Sequence, residues 1–359
     1  MKRNRAIDYE KGLIVALMVF CHTLQFFGRT DRYPEQYWII TIICSLAFPT
    51  FLFAYGRSVW LAYYQRPLKQ AAPRMLLSSA RAYGAYCISG VAHHLLCSGK
   101  EFSSDTLLRV ISLRDVPGMS EFLAAFAVLG LVALALFLPL HTLLERKILF
   151  WALTLACFAG AFIPYERISS THLGLLIGTT RFYAFPVLQY FPFFLAGLYM
   201  GKYGMERRAL WLGGSGLLTA AGVLYFAAYG EPGRFPPALW WLVLPCLLIV
   251  LLDLGAGELD RAGQQRLKVR RLLTPIESLG RNSLYYLVTS NLVLFSLSRT
   301  GTLPRFQRSE IFPFTLKKGS TPWALFWTLL MLLCIAFVAS LYRRGRKAAA
   351  EESDNRSKL

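Results

Sequence analysis

The sequence is short of charge, and above all of negative charge. Only 16% of its 359 residues are charged, with 20 acidic side chains against 39 basic ones. So few charges cannot clothe the two soluble domains that the length would otherwise imply. Paired cysteine spacings are missing as well. Cys21, Cys44, Cys87, Cys97, Cys157, Cys246 and Cys334 lie in or beside apolar runs with no CxxC. That excludes a zinc ribbon or a disulfide framework and reads them as small packing residues. No HxxxH or HExxH occurs, so no metal is expected. No repeat of solenoid period is visible, and the halves do not resemble one another as they do in many transporters.

What fills the chain instead is apolar residues, 55% of the total, with 14% aromatic. They cluster into about ten runs, each near the ~20 residues that cross a bilayer: 12–27, 38–60, 82–97, 119–140, 148–164, 183–201, 209–229, 238–256, 279–298 and 323–342. The pattern predicts an all-α, polytopic transmembrane helix bundle forming one domain over 1–345, followed by a disordered cytoplasmic tail over 346–359. The first run reads as a retained helix, because Asp8 and Glu10 precede it and no small-residue cleavage site follows Phe27. Segment 103–118 places Leu107, Leu108 and Ile111 near one face, which fits a short helix lying flat at the interface or a surface loop.

The net charge of +19 then becomes a question of orientation. With the amino terminus inside, the inner segments hold 24 of the 39 basic residues and the outer segments 13. This bias predicts both termini in the cytoplasm, and it accounts for most of the charge without nucleic acid as a partner. The last outer segment runs against it, with Arg299, Arg305, Arg308, Lys317 and Lys318; an anionic surface polymer would suit them.

Ionisable groups at membrane depth are costly, so each is a functional candidate. His22 lies eleven residues past Lys11, about 16 Å along a helix and on the same side of it. Asp8 and Lys11 share a face at the inner mouth, as an ion pair or as interfacial anchors. Topology puts His93, His94 and Glu121 in the outer half with His22. Adjacent histidines project about 100° apart, so at most one of the two is expected to face a given site. Glu121 also suits a helix start. An inner layer of Lys11, Arg57 and Arg281 could either anchor the helices or receive the phosphates of a nucleotide-like donor.

Four islands carry a family resemblance. Asp8-Tyr9-Glu10-Lys11-Gly12 followed by His22 resembles the first helix of integral-membrane acyltransferase family 3, with Lys in place of the family's Arg in its Arg-x10-His spacing. Phe48-Pro49-Thr50-Phe51-Leu52-Phe53-Ala54-Tyr55-Gly56 is similar to the second-helix motif, with Tyr55 where Ser is usual. Phe191-Pro192-Phe193-Phe194-Leu195-Ala196-Gly197 and Gly280-Arg281-Asn282-Ser283-Leu284 resemble two later segments. The His that often follows the last one is replaced by Thr289 or Ser290.

The resemblance implies a bacterial plasma-membrane enzyme. It would move an acyl group, commonly acetyl from acetyl-CoA, onto a hydroxyl of a cell-surface or lipid-linked glycan. His22 would be general base or transient acyl carrier, with Glu121 or one of His93 and His94 orienting it or the acceptor. Lys11, Arg57 and Arg281 would neutralise the CoA phosphates, and Asn282 and Ser283 would donate to the thioester oxygen. The alternatives are an exporter of an anionic lipid or glycan, or a catalytically altered family member.

Overall fold

A computed structural model describes residues 4–300 and 317–357, and every regular element among them is helical. The segment carrying Arg305 and Arg308 lies outside the described residues. The helices are α1 (Arg5–Phe27), α2 (Glu35–Val59), α3 (Leu68–Leu96), α4 (Ser104–Ile111), α5 (Glu121–Ala135), α6 (Phe137–Glu145), α7 (Lys147–Phe158), α8 (Thr171–Ile177), α9 (Val187–Tyr203), α10 (Arg208–Tyr229), α11 (Leu239–Val243), α12 (Cys246–Gln265), α13 (Leu267–Arg281), α14 (Ser283–Thr300) and α15 (Thr321–Ser357).

Each of the ten apolar runs is largely helical, with 119–140, 238–256 and 279–298 each divided between two helices, yet not all of these helices are long and apolar enough to cross a membrane alone. Among the described residues five are: Arg5–Phe27, Glu35–Tyr64, Arg208–Tyr229, Leu239–Gln265 and Thr321–Leu341. The α5–α6 pair, bent by 69°, makes a sixth if it counts as one span. The shortfall has physical causes. Helix α9 is only 17 residues long, and α3 begins at Leu68, so its polar first half dilutes its apolar second half. The stretch 61–81, expected as a connecting segment, is therefore largely helical. Helix α15 likewise continues through Ser357, where the polar composition pointed to a disordered tail. Ala, Glu, Lys and Arg are strong helix formers, and the run AAAEE extends an existing helix readily.

Helix α1 is central, packing against α2, α12, α13, α14 and α15. Two crossings depend on glycine. On α2 and α9, a Cβ at Gly56 would run into the Phe194 carbonyl and one at Gly197 into the Phe53 carbonyl. On α1 and α13, a Cβ at Gly12 would meet the Ile276 carbonyl and one at Gly280 the Asp8 carbonyl. In lipid, where burying apolar surface drives little, the van der Waals packing that such close backbone approach allows is one of the forces that hold helices together. The four motif islands are thus the two sides of two helix crossings.

The expected amphipathic segment holds a real helix, α4, with Ser103 accepting from the Thr106 amide as N-cap. Its apolar side is divided. Val110 is buried near Tyr86, whose hydroxyl donates to the Val110 carbonyl, while Leu108 and Ile111 are exposed.

Candidate active site

Helix α1 carries His22 to the wall of a cavity of about 410 Å³. Glu121 at the first turn of α5 and His93 near the end of α3 line the same cavity. So do Cys21 and Cys44, whose sulfurs lie 3.6 Å apart, and an aromatic wall of Tyr183, Phe185 and Phe235. His94 turns away. It is 4% exposed, and its Nε2 lies 3.1 Å from Asp115 Oδ2, which Lys100 Nζ also meets at 2.9 Å. Burial opposes ionisation of Asp115, but the Lys100 ammonium and the His94 ring outweigh it and hold the carboxyl below its ordinary value. The adjacent pair thus divides as helical geometry requires, with His93 toward the cavity and His94 in a polar clamp.

The protonation pattern of His22 follows from its partner. His22 Nδ1 lies 3.0 Å from Asn291 Oδ1 on α14. The Asn291 amide is oriented by its other end, because Nδ2 donates to the Met119 carbonyl at 3.1 Å and to Ser89 Oγ at 3.4 Å. An amide oxygen only accepts, so Nδ1 must carry the hydrogen. The lone pair of the neutral ring is then on Nε2, the nitrogen left for the cavity. Met119 sits at φ 61°, in the left-handed region that a residue with a side chain seldom takes, and so its carbonyl comes within reach of Asn291. Asn291 acts on the reaction through His22, as a positioning residue. Asn291→Leu is expected to lower kcat about 10²-fold with KM little changed. Asn291→Asp, which still accepts at Nδ1, should retain more activity. Equal rates for Asn291→Leu and the parent protein would remove Asn291 from this role.

A family model of the acyltransferase domain, acyltransferase 3, matches residues 4–343, nearly the whole chain. The chain belongs to the acyltransferase 3 family. No curated protein matches it. With that membership and its apolar helices, the acyltransferase is an integral membrane protein.

At its other end the acyltransferase gathers the remaining expected residues, but not into the His22 cavity. Lys11 is on the first turns of α1, and Gly280 against Asp8 brings Arg281, Asn282 and Ser283 close to that end. Asn282 is occupied locally, its Nδ2 donating to the Ser278 carbonyl at 2.9 Å as α13 ends. Arg281 is exposed. Arg57, half-buried, lies between two buried carboxylates: it pairs with Asp253 on α12 and lies 3.6 Å from Glu10 on α1. Its charge is therefore engaged within the bundle, and Lys11 lies within electrostatic reach of the same Glu10.

Sequence reasoning missed Asn291, Glu10, Asp253 and Arg234. Asp253 carried a signal, a lone acid inside the apolar run CLLIVLLDLGAG, and Asn291 stands just beyond the Thr289 and Ser290 that attracted notice. Arg234 is on a loop and offered none.

Proposed function

We propose that this integral-membrane acyltransferase moves an acyl group, most simply acetyl, from a cytoplasmic acyl-CoA to a hydroxyl of a cell-surface or lipid-linked glycan. The bundle would cross a bacterial plasma membrane ten times with both termini inside, a topology supported by ten apolar helical stretches and the inner excess of basic residues. The reading rests chiefly on one observation. His22 lines the cavity with its Nδ1 3.0 Å from the Asn291 amide oxygen, an arrangement in which Nε2 would be the nitrogen that carries the lone pair.

A base so held suits general-base catalysis. The acceptor hydroxyl gives its proton to Nε2 as its oxygen attacks the thioester carbonyl. The C–S bond then breaks, and the proton passes from the imidazolium to the departing thiolate, giving the O-acyl glycan and free CoA thiol. In the two-step version Nε2 itself attacks the thioester and the C–S bond breaks to give an acyl-imidazolium and the CoA thiolate; the acceptor hydroxyl then attacks the acyl group, freeing Nε2, and its proton balances the thiolate. The unpaired Oε2 of Glu121 and His93 face the same space and would orient the acceptor. Because Arg57 is engaged by carboxylates, the exposed Arg281 would be the cation that meets CoA phosphates. No metal takes part in this scheme.

Purified protein in lipid nanodiscs, given acetyl-CoA labelled in the acetyl group and a glycan extract from the host envelope, should produce labelled glycan and free CoA thiol in equal amounts. Movement of glycan across a proteoliposome membrane without labelling would establish an exporter instead.

A further inference from the structure

The loop between α10 and α11 sends Arg234 into the same cavity as His22 and Glu121. The loop is pinned on both sides of it. The Tyr37 hydroxyl donates to Glu231 Oε2 at 2.5 Å, and the Tyr165 hydroxyl donates to the Pro237 carbonyl at 3.2 Å. The guanidinium is held over the Phe235 ring at 4.6 Å from its centroid, a contact that fixes the plane of the fork. Despite that preparation, Arg234 forms no ion pair among the described residues; its side chain meets the Cys44 sulfur, and its buried Nε has no hydrogen-bond partner. Glu121, only 9% exposed, is the carboxylate lining this cavity; backbone amides at the start of α5 bond the group, and its Oε2 is left without a partner.

A cation and a carboxylate that share a cavity without pairing are complementary to something that separates them. Buried polar groups are costly to leave unmet, so both point to a ligand carrying matching groups. A hydroxyl satisfies the carboxylate. A planar or tetrahedral oxyanion satisfies the guanidinium fork. In the same cavity, Phe235 with Phe185 and Tyr183 at 5.1 and 5.3 Å from its ring centroid offers an apolar face to the ring of a sugar.

We propose that Arg234 selects the acceptor by binding an anionic group on it, a carboxylate on the sugar or a phosphate joined to it. The proposal rests on the acyl-transfer reading for the identity of the acceptor as a sugar, but its test does not depend on turnover. Full-length protein in nanodiscs is titrated with a glucuronosyl-glucose disaccharide, with glucose 1-phosphate and with neutral cellobiose, in the absence of acyl-CoA. One of the two anionic probes should bind about 10- to 100-fold more tightly than cellobiose, and which one does so distinguishes sugar carboxylate from phosphate.

Arg234→Gln should abolish that preference while leaving cellobiose binding and the thermal midpoint unchanged, which excludes simple misfolding. Arg234→Lys should retain part of it. His22→Ala should retain all of it. Equal affinities for the three probes, or a preference that survives Arg234→Gln, overturns the proposal. So does a loss of turnover in Arg234→Gln that is equal for anionic and neutral acceptors with binding intact, since Arg234 would then serve the reacting carbonyl. Failure of the acyl-transfer reading shows separately, as an intact anionic preference with no labelled product from the parent protein.

Discussion

His22→Ala is expected to lower acyl transfer by about 10²- to 10⁴-fold, the range that a positioned general base contributes. The loss should fall on kcat, because the cavity walls that would hold the acceptor are contributed by other helices. Asn291 keeps its own bonds to Met119 and Ser89 in this variant, so the local fold has no new unsatisfied amide donor. Initial rates of label transfer, read beside the thermal midpoint of the same preparation, check both halves of the expectation. A rate within tenfold of the parent at unchanged KM would sink the assignment of His22 as base and as acyl carrier alike.

The second large effect is on stability, at the other end of α1. Arg57→Met leaves Glu10 and Asp253 buried without the cation between them, and an uncompensated buried charge costs about 3–5 kcal/mol. An exposed ion pair of the same composition would be worth about 0–1 kcal/mol, so burial decides the size. The denaturation midpoint of the nanodisc-reconstituted protein should fall accordingly. Adding Glu10→Gln and Asp253→Asn should recover much of the loss, because the charges that Arg57 neutralises are then gone. A midpoint unchanged in Arg57→Met would mean that the cluster does not hold α1, α2 and α12 together. The prediction also separates two roles that the sequence left open for Arg57, since a cation reserved for donor phosphates would lower donor affinity when removed and leave stability alone.

The bundle was legible because membrane helices announce themselves one at a time. Apolar length needs no partner to be read, and the ten runs fall on helices. The boundaries were less so, because helix does not stop where lipid stops: α3 and α15 continue through charged sequence that composition assigns to solvent. His22 and Glu121 were visible as polar groups out of place, and the structure sets both in one cavity. Choosing between His93 and His94 needed the azimuth of α3 and the position of Asp115, which no spacing encodes. Asn291 is 269 positions from His22, a pairing only the folded chain creates. The motif glycines were readable as a pattern, but their reason is mutual: Gly56 and Gly197 each admit the other helix's backbone. The partners of Arg57 were hidden for a related reason. A cation near an inner boundary resembles an anchor until Glu10 and Asp253 are seen around it.

One helix, α1, holds both Glu10 in the charged cluster and His22 in the cavity. Twelve residues of α-helix separate them, about 18 Å of rod that resists stretching. The two ends are therefore mechanically geared. A change at the cluster cannot be absorbed by lengthening the rod and reaches the imidazole as tilt, rotation or slide of the whole helix. The hydrogen bond from His22 Nδ1 to Asn291 resists each of those motions, together with the packing of α1 against its five neighbouring helices, so any play in that packing is felt at the imidazole.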